Sequence, residues 1–199
     1  MNLEIANRVW AKEWTLDISL IDDVIHQLDL VENSQVLDIG TGAGVMAISL
    51  ALNGFDVLTG EPEGEYEEHQ EHGDHLGYGY PDWRKAVKAL GVEYKIRYQH
   101  LNAERLTFPN ESFDGVFLYD TLHHITNKEV ALSECLRVLK PNNVVCVVEM
   151  NENGHIHFQE EYGFAPEIVV DPRDFIGVEA IVSKFIPGEY SNAYFLKNK

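Results

Sequence analysis

The chain has 199 residues, 45% of them apolar and 24% charged, which suits one domain with a full hydrophobic core. Lys and Arg number 15 against 33 Asp and Glu, a formal net charge of −18. Such a surface repels the phosphates of nucleic acids and anionic membranes, whose recognition rests on Lys and Arg displacing counterions, so neither is an expected partner.

No run of apolar residues reaches the length of a membrane span, and the first residues carry no basic leader followed by an apolar stretch. Cys135 and Cys146 lie inside apolar periodic segments and read as buried, reduced thiols. A cytoplasmic protein is expected.

Trp10 and Trp14 are four apart and would share a face if their segment is helical. The apolar positions from Leu16 to Leu30 suit an amphipathic helix, so residues to about 32 read as an N-terminal helical segment. Val36–Ile39 is a short apolar strand ending on Asp38-Ile39. Gly40-Thr41-Gly42-Ala43-Gly44 is a tight turn, and the run to Leu52 is a helix stopped by Asn53-Gly54. Phe55–Thr59 reads as the second strand, completing a βαβ unit.

Residues 61–80 hold seven acids, three histidines and no Lys or Arg. Their glycines argue against one continuous helix, and the stretch is expected to be an irregular insertion with a helical turn at Tyr66–Glu71. Pro81 opens a helix to about Leu90, with Gly91 as its stop. Tyr94–His100 alternates like a strand, 102–112 is loop, and Gly115–Tyr119 is a short buried strand. A loop to Asn127 leads into a helix over Lys128–Leu139, and Val144–Met150 is an apolar run suited to a central strand. Residues 151–175 read as loop. Val178–Phe185 and Tyr190–Leu196, joined by Pro187-Gly188, pattern as an antiparallel hairpin. The alternation of strands and helices predicts a three-layer α/β sandwich with a mixed sheet, in a single domain over 1–199.

Three ligand classes compete for a strand, glycine turn and helix. A phosphate-cradling loop needs Gly-x4-Gly-Lys-Ser/Thr, yet no Lys or Arg occurs from Glu13 to Trp83. A dinucleotide loop places its third glycine where Val45 stands. S-adenosylmethionine has no phosphate and carries a sulfonium and an ammonium, so nearby acids favour it. Asp38 ends the first strand within reach of that ammonium, directly or through water. Gly40 and Gly42 let the backbone approach a ligand. Glu61, 17 residues past Gly44, is placed to accept two hydrogen bonds from a ribose diol.

These residues resemble the class I S-adenosylmethionine-dependent methyltransferases, in particular their small ubiquinone-biosynthesis-like group. Asp38-Ile39-Gly40-Thr41-Gly42-Ala43-Gly44 is similar to that family's first motif, and Glu61 occupies its ribose-acid position after Gly60 rather than an apolar residue. Asn102-Ala103 before Leu106-Thr107-Phe108 resembles the segment whose acid binds the adenine amino group, with Asn in place of Asp. Ser112–Val116, Leu122-His123-His124 and Leu136–Asn142 match the segments that follow. The likeness spans residues 35–150. It implies a Rossmann-like sandwich with a mostly parallel seven-stranded sheet and a C-terminal antiparallel hairpin. It also implies S-adenosyl-L-methionine as cofactor, contacts from Asp38, Gly40, Thr41, Gly42, Gly44, Glu61, Asn102, Ala103 and the Tyr119 carbonyl, and methyl transfer to a small-molecule acceptor or, less so, a protein.

Methyl transfer is an in-line displacement that chiefly needs alignment and exclusion of water, with a base only where the acceptor is protonated. His123 and His124 are candidates for that base or for acceptor contacts. They equally suit a loop that packs beside the cofactor. Asp120 is a candidate for a ligand contact or for a loop cap. No Asn/Asp-Pro-Pro-aromatic follows the fourth strand and no cysteine lies in a comparable loop, which disfavours nucleic-acid amino methylation and cysteine-adduct chemistry. No resident metal is expected. His69, His72 and His75, with Glu68, Glu71 and Asp74, could hold a divalent ion, against a solvated or substrate-covering acidic loop. His155 and His157 could share a strand face, and read as surface residues. Trp83 is expected to pack. Trp10 and Trp14 suit core anchoring or a cover over the acceptor. Two rivals remain: a catalytically silent S-adenosylmethionine-binding protein and a nicotinamide oxidoreductase. Acceptor identity and oligomeric state are beyond these patterns.

Overall fold

Five short apolar segments lie side by side in parallel because helices connect them across the faces of the sheet. The computed structural model describes residues 3–63, 81–163 and 168–199. The strands are β1 (Gln35–Ile39), β2 (Asp56–Gly60), β3 (Ile96–Tyr98), β4 (Gly115–Tyr119), β5 (Val145–Met150), β6 (Ala180–Pro187) and β7 (Ser191–Asn198). They form one seven-stranded sheet in the order β3-β2-β1-β4-β5-β7-β6. The first five pair in parallel, with Val36 beside Val57 on one side and beside Gly115 on the other. β7 runs antiparallel to β5 and β6 antiparallel to β7. This is the mostly parallel Rossmann-like sandwich with a C-terminal hairpin.

Alternate residues of each central strand enter opposite layers. Val36, Phe117, Cys146 and Val148 join α2 (Ile18–Ile25), α3 (Val45–Leu52) and α4 (Trp83–Leu90) in one core. Leu37, Ile39, Val116, Leu118, Val145 and Val147 join α5 (Lys128–Val138) in the other. Burial on both faces is why these strands read as continuous apolar runs rather than alternating ones. Both cysteines are buried and free. Asp82 caps α4 by accepting from the Arg84 N–H, and Asn127 caps α5 by accepting from the Val130 N–H.

Several elements differ from the sequence expectation. The helix expected over Leu16–Leu30 is confined to Ile18–Ile25. Leu28 and Leu30 still pack on the core, from irregular chain beyond its end. The N-terminal segment holds only a short α1 (Leu3–Ala6) and a 3-10 turn at Lys12–Trp14, so Trp10 and Trp14 share no α-helical face. The strand expected over Tyr94–His100 shortens to Ile96–Tyr98 behind a 3-10 turn. Lys95 Nζ there donates to Asn33 Oδ1, the Gly54 carbonyl and Asp56 Oδ1, stitching loops at the amino edge of the sheet. The stretch after β5, expected to be loop, contains α6 (Glu152–Tyr162). Only Gly154 of that helix is buried, so it carries no apolar stripe for periodicity to reveal. His155 and His157 lie on this helix rather than on a strand. The expected turn at Tyr66–Glu71 lies outside the described residues. Among those described, no helix is long and apolar enough to cross a membrane.

Gly60, in the last position of β2, is demanded by packing. A Cβ built there falls 1.8 Å from the Gln99 carbonyl oxygen, a backbone atom that cannot yield cheaply. Gly60→Ala is therefore expected to lower unfolding free energy by at least about 2 kcal/mol in urea denaturation. Gly177→Ala, whose Cβ would come no nearer than 3.6 Å to any neighbour, is expected to stay within about 0.5 kcal/mol of wild type.

Candidate cofactor and acceptor site

The sheet order reverses between β1 and β4, because the crossovers from β1 lead one way and the chain from β4 leads the other. Their carboxyl ends therefore open a crevice, the usual ligand position of an open α/β sheet. The turn after β1 lines one side, with Gly40, Gly42 and Gly44 at positive φ (86°, 48° and 77°). The loop after β4 lines the other. The two loops touch directly: a Cβ on Gly40 would fall 2.1 Å from Thr121 Oγ1. The freedom of this glycine thus seats a protein side chain, where the sequence suggested an approach for ligand.

Beneath the turn, three hydroxyl and carboxyl groups form an ordered chain. Thr59 Oγ1 donates to Asp38 Oδ2 (2.8 Å), which leaves Thr41 Oγ1 to donate to Thr59 Oγ1 (2.9 Å). Asp38 is fully enclosed, and its Oδ1 has no hydrogen-bond partner. Burial pushes its pKa up to about 8, opposed by the Thr59 hydroxyl and reinforced by the charge of Glu61. Glu61, past the end of β2 and 8% exposed, accepts the Gly42 N–H at 2.8 Å. Its carbonyl accepts the Leu101 N–H (2.8 Å), which brings Asn102 and Ala103 beside the end of β2. Asn102 is exposed and its Oδ1 accepts the Glu104 N–H, while Ala103 is buried.

The N-terminal segment is tied to the turn after β1 and to the strands β4 and β7. Trp10 donates its indole N–H to the Ala43 carbonyl (2.9 Å) and is buried. Asp17 Oδ2 accepts from Ser191 Oγ (2.6 Å) and Tyr119 Oη (3.3 Å), tying the start of α2 to β7 and β4. Burial raises the Asp17 pKa in spite of these two bonds. The Tyr119 carbonyl accepts the Thr121 hydroxyl (2.9 Å).

Asp120 follows in left-handed conformation, φ 50°, and its Oδ1 is enclosed without a hydrogen-bond partner. Burial pushes its pKa up to about 7, with the His123 charge opposing and the charges of Glu149 and Asp17 adding. His123 Nδ1 lies 2.9 Å from Glu149 Oε2 and 3.7 Å from Asp120 Oδ1. Burial alone favours its neutral ring. The hydrogen bond to Glu149, with the charges of Asp120 and Glu149, outweighs that and raises its pKa. His124 is exposed, its ring 4.0 Å from that of His123.

The profile of the methyltransferase domain family matches residues 37–147, more than half of the chain. The chain is also 32% identical over 146 residues to the ubiquinone/menaquinone biosynthesis C-methyltransferase of Pasteurella multocida, covering 73% of this chain and 47% of that protein. The chain belongs to the class I S-adenosylmethionine-dependent methyltransferases. An O-methyltransferase of Pyrenophora dematioidea is 26% identical over 128 residues, 64% of this chain and 43% of its own length. The chain thus spans about half the length of the curated relatives it matches. Among solved structures, an S-adenosylmethionine-dependent methyltransferase from Aquifex aeolicus superposes with a TM-score of 0.67 at 19% identity, covering 97% of this chain and 96% of that one. The [4+2]-cyclase SpnF superposes with a TM-score of 0.53 at 21% identity, covering 66% of this chain and 44% of that one. These two show the fold alone.

The family's cofactor is S-adenosyl-L-methionine. Of the residues named from the sequence, Gly40–Gly44 and Tyr119–His124 lie on the loops after β1 and β4, Glu61, Asn102 and Ala103 lie at the end of β2, and Asp38 is enclosed beneath the turn. His69, His72 and His75 lie outside the described residues. Trp83 packs in the core, as expected. Two participants escaped the sequence reading. Thr59 looked like ordinary strand sequence. Glu149 signalled itself only as an acid inside the apolar run Val144–Met150. Asp120, His123 and Glu149 offer ligand-type atoms within 4.8 Å of one another. The group includes the direct His123–Glu149 hydrogen bond.

The enclosed Asp38 has a consequence for stability. Its folded pKa of about 8 lies above the unfolded carboxyl value of 3.8. The folded state therefore holds its proton longer, and the associated stability is full below pH 4 and lost as pH rises through about 8. Asp38→Asn is expected to flatten the decline of the urea midpoint between pH 5 and 9, measured against wild type. An unchanged slope would show that this carboxyl titrates normally.

Proposed function

We propose that this chain transfers the methyl group of S-adenosylmethionine to a small molecule held at the β4 side of the crevice. One observation carries the reading. Acids converge on the glycine turn from β1 and β2, and no Lys or Arg occurs from Glu13 to Trp83 to attract a phosphate. That setting favours a ligand carrying positive charge without phosphate.

In this reading Glu61 holds the ribose diol, with its carboxylate already set in place by the Gly42 N–H. Asn102 and Ala103 border the adenine. The backbone of Gly40–Gly44, Thr41 and the Tyr119 carbonyl hold the methionyl part, while Asp38 acts through the turn that covers it. The bound cofactor supplies an electrophilic methyl group on a sulfonium. Asp120, His123 and His124 form the wall on the acceptor side, with His123 as the proton acceptor. The N-terminal segment, pinned by Trp10 and Asp17, excludes water from that side.

Calorimetric titration tests the reading. S-adenosylmethionine is expected to bind and NAD is not. Glu61→Ala is expected to weaken S-adenosylmethionine binding by roughly 1–3 kcal/mol. Unchanged affinity would remove Glu61 from the site, and tight NAD binding would overturn the choice of cofactor.

A further inference from the structure

The imidazole on the acceptor side is held by a carboxylate that methyl transfer itself does not require. Glu149 is the one acid among the six residues of β5 and is 2% exposed. Its Oε1 accepts the backbone N–H groups of Thr121 (3.0 Å) and Leu122, which anchors the carboxylate to the turn that carries His123. Its Oε2 faces His123 Nδ1 at 2.9 Å. With Oε2 as acceptor, the ring hydrogen sits on Nδ1 and the basic lone pair of the neutral imidazole is at Nε2. Among the described residues, the other charged or titratable groups facing the ring are Asp120 of the β4 loop, His124 with its ring tilted beside it, and Lys128 of α5. The Lys128 ammonium is committed to the Ile125 carbonyl (2.7 Å) and lies 3.4 Å from the His123 carbonyl.

We propose that Glu149 is the positioning residue that fixes His123 as a proton acceptor at Nε2, and that the methyl acceptor is a nucleophile bearing a proton on the attacking atom: a hydroxyl, an ammonium or an acidified C–H. The inference rests on the methyl-transfer reading of this site. The acceptor atom bonds to the methyl carbon as the carbon–sulfur bond breaks, its electron pair staying on sulfur. The acceptor's own proton passes to Nε2 and leaves its electron pair behind, so no oxidant or reductant enters. A buried carboxylate on Nδ1 stabilises the imidazolium formed at that moment.

Long-range proton–nitrogen NMR of the full, 15N-labelled chain tests this without any ligand. Above its titration midpoint, wild-type His123 is expected to show a protonated Nδ1 and a bare Nε2. In Glu149→Gln the amide oxygen can keep the two backbone N–H groups, while its NH2 turns a donor toward Nδ1. The ring hydrogen is then expected to move to Nε2, and the His123 midpoint to fall by about one pH unit or more. A wild-type ring protonated at Nε2 overturns the proposal, and this result decides even if Glu149→Gln does not fold. A folded Glu149→Gln with unchanged tautomer and midpoint also overturns it. With the wild-type chain and S-adenosylmethionine, a panel of phenols, amines and thioethers tests the acceptor class. Turnover confined to phenols or amines, lost by about 100-fold or more in His123→Gln with cofactor affinity kept, supports it. Turnover of thioethers alone overturns it. Absence of S-adenosylmethionine binding to wild type with the expected tautomer present sinks the methyl-transfer reading and the acceptor class, but not the Glu149–His123 arrangement.

Discussion

The contact between Gly40 and Thr121 is the constraint on which the site depends. Two loops leave neighbouring parallel strands at the point where the sheet's crossovers diverge, and the Thr121 side chain of one fills the space left by the missing Cβ of Gly40 on the other. The absence of a Cβ at Gly40 makes this approach possible. It brings the β4 loop, with Asp120 and His123, against the glycine turn after β1. Under the proposed function, donor and acceptor must be held in line at van der Waals distance, and this contact would fix the two walls relative to each other.

A second theme is the treatment of charge. Asp17, Asp38, Asp120 and Glu149 are buried or have enclosed oxygens near the carboxyl edge, and Glu61 joins them. Hydroxyls and backbone N–H groups satisfy them rather than Lys or Arg: Thr59 for Asp38, Ser191 and Tyr119 for Asp17, Gly42 for Glu61, and Thr121 and Leu122 for Glu149. Lys95 and Lys140 are instead occupied structurally, in the stitch at the amino edge and in the pair with Asp114. Burial raises the pKa values of Asp17, Asp38 and Asp120, so keeping these carboxylates charged costs stability in the folded chain.

The helix α6 shows where reading by periodicity stops. Its eleven residues are helical because Asn151 caps them and the chain must leave β5 across the sheet edge, yet they bury little more than a glycine. A helix that packs so little has no stripe to display. The shortened β3 has the opposite cause: its alternating sequence continues beyond the pairing that β2 offers, which ends after three residues.

From the sequence alone, the strands, most of the connecting helices, the mostly parallel sheet, the glycine turn and the family were legible, because each depends on local patterns: apolar runs buried on two faces and glycines where φ is positive. What the tertiary structure decided was how these parts meet. Asp38 became an enclosed, hydrogen-bonded carboxyl under the turn because Thr59, 21 residues away, is its register partner on β2 and donates to it. His123 became a held and oriented imidazole because Glu149, on the neighbouring strand, reaches both the ring and the backbone that carries it. Neither partnership has a spacing in the chain that marks it, since strand adjacency in a parallel sheet is set by crossovers and not by sequence distance.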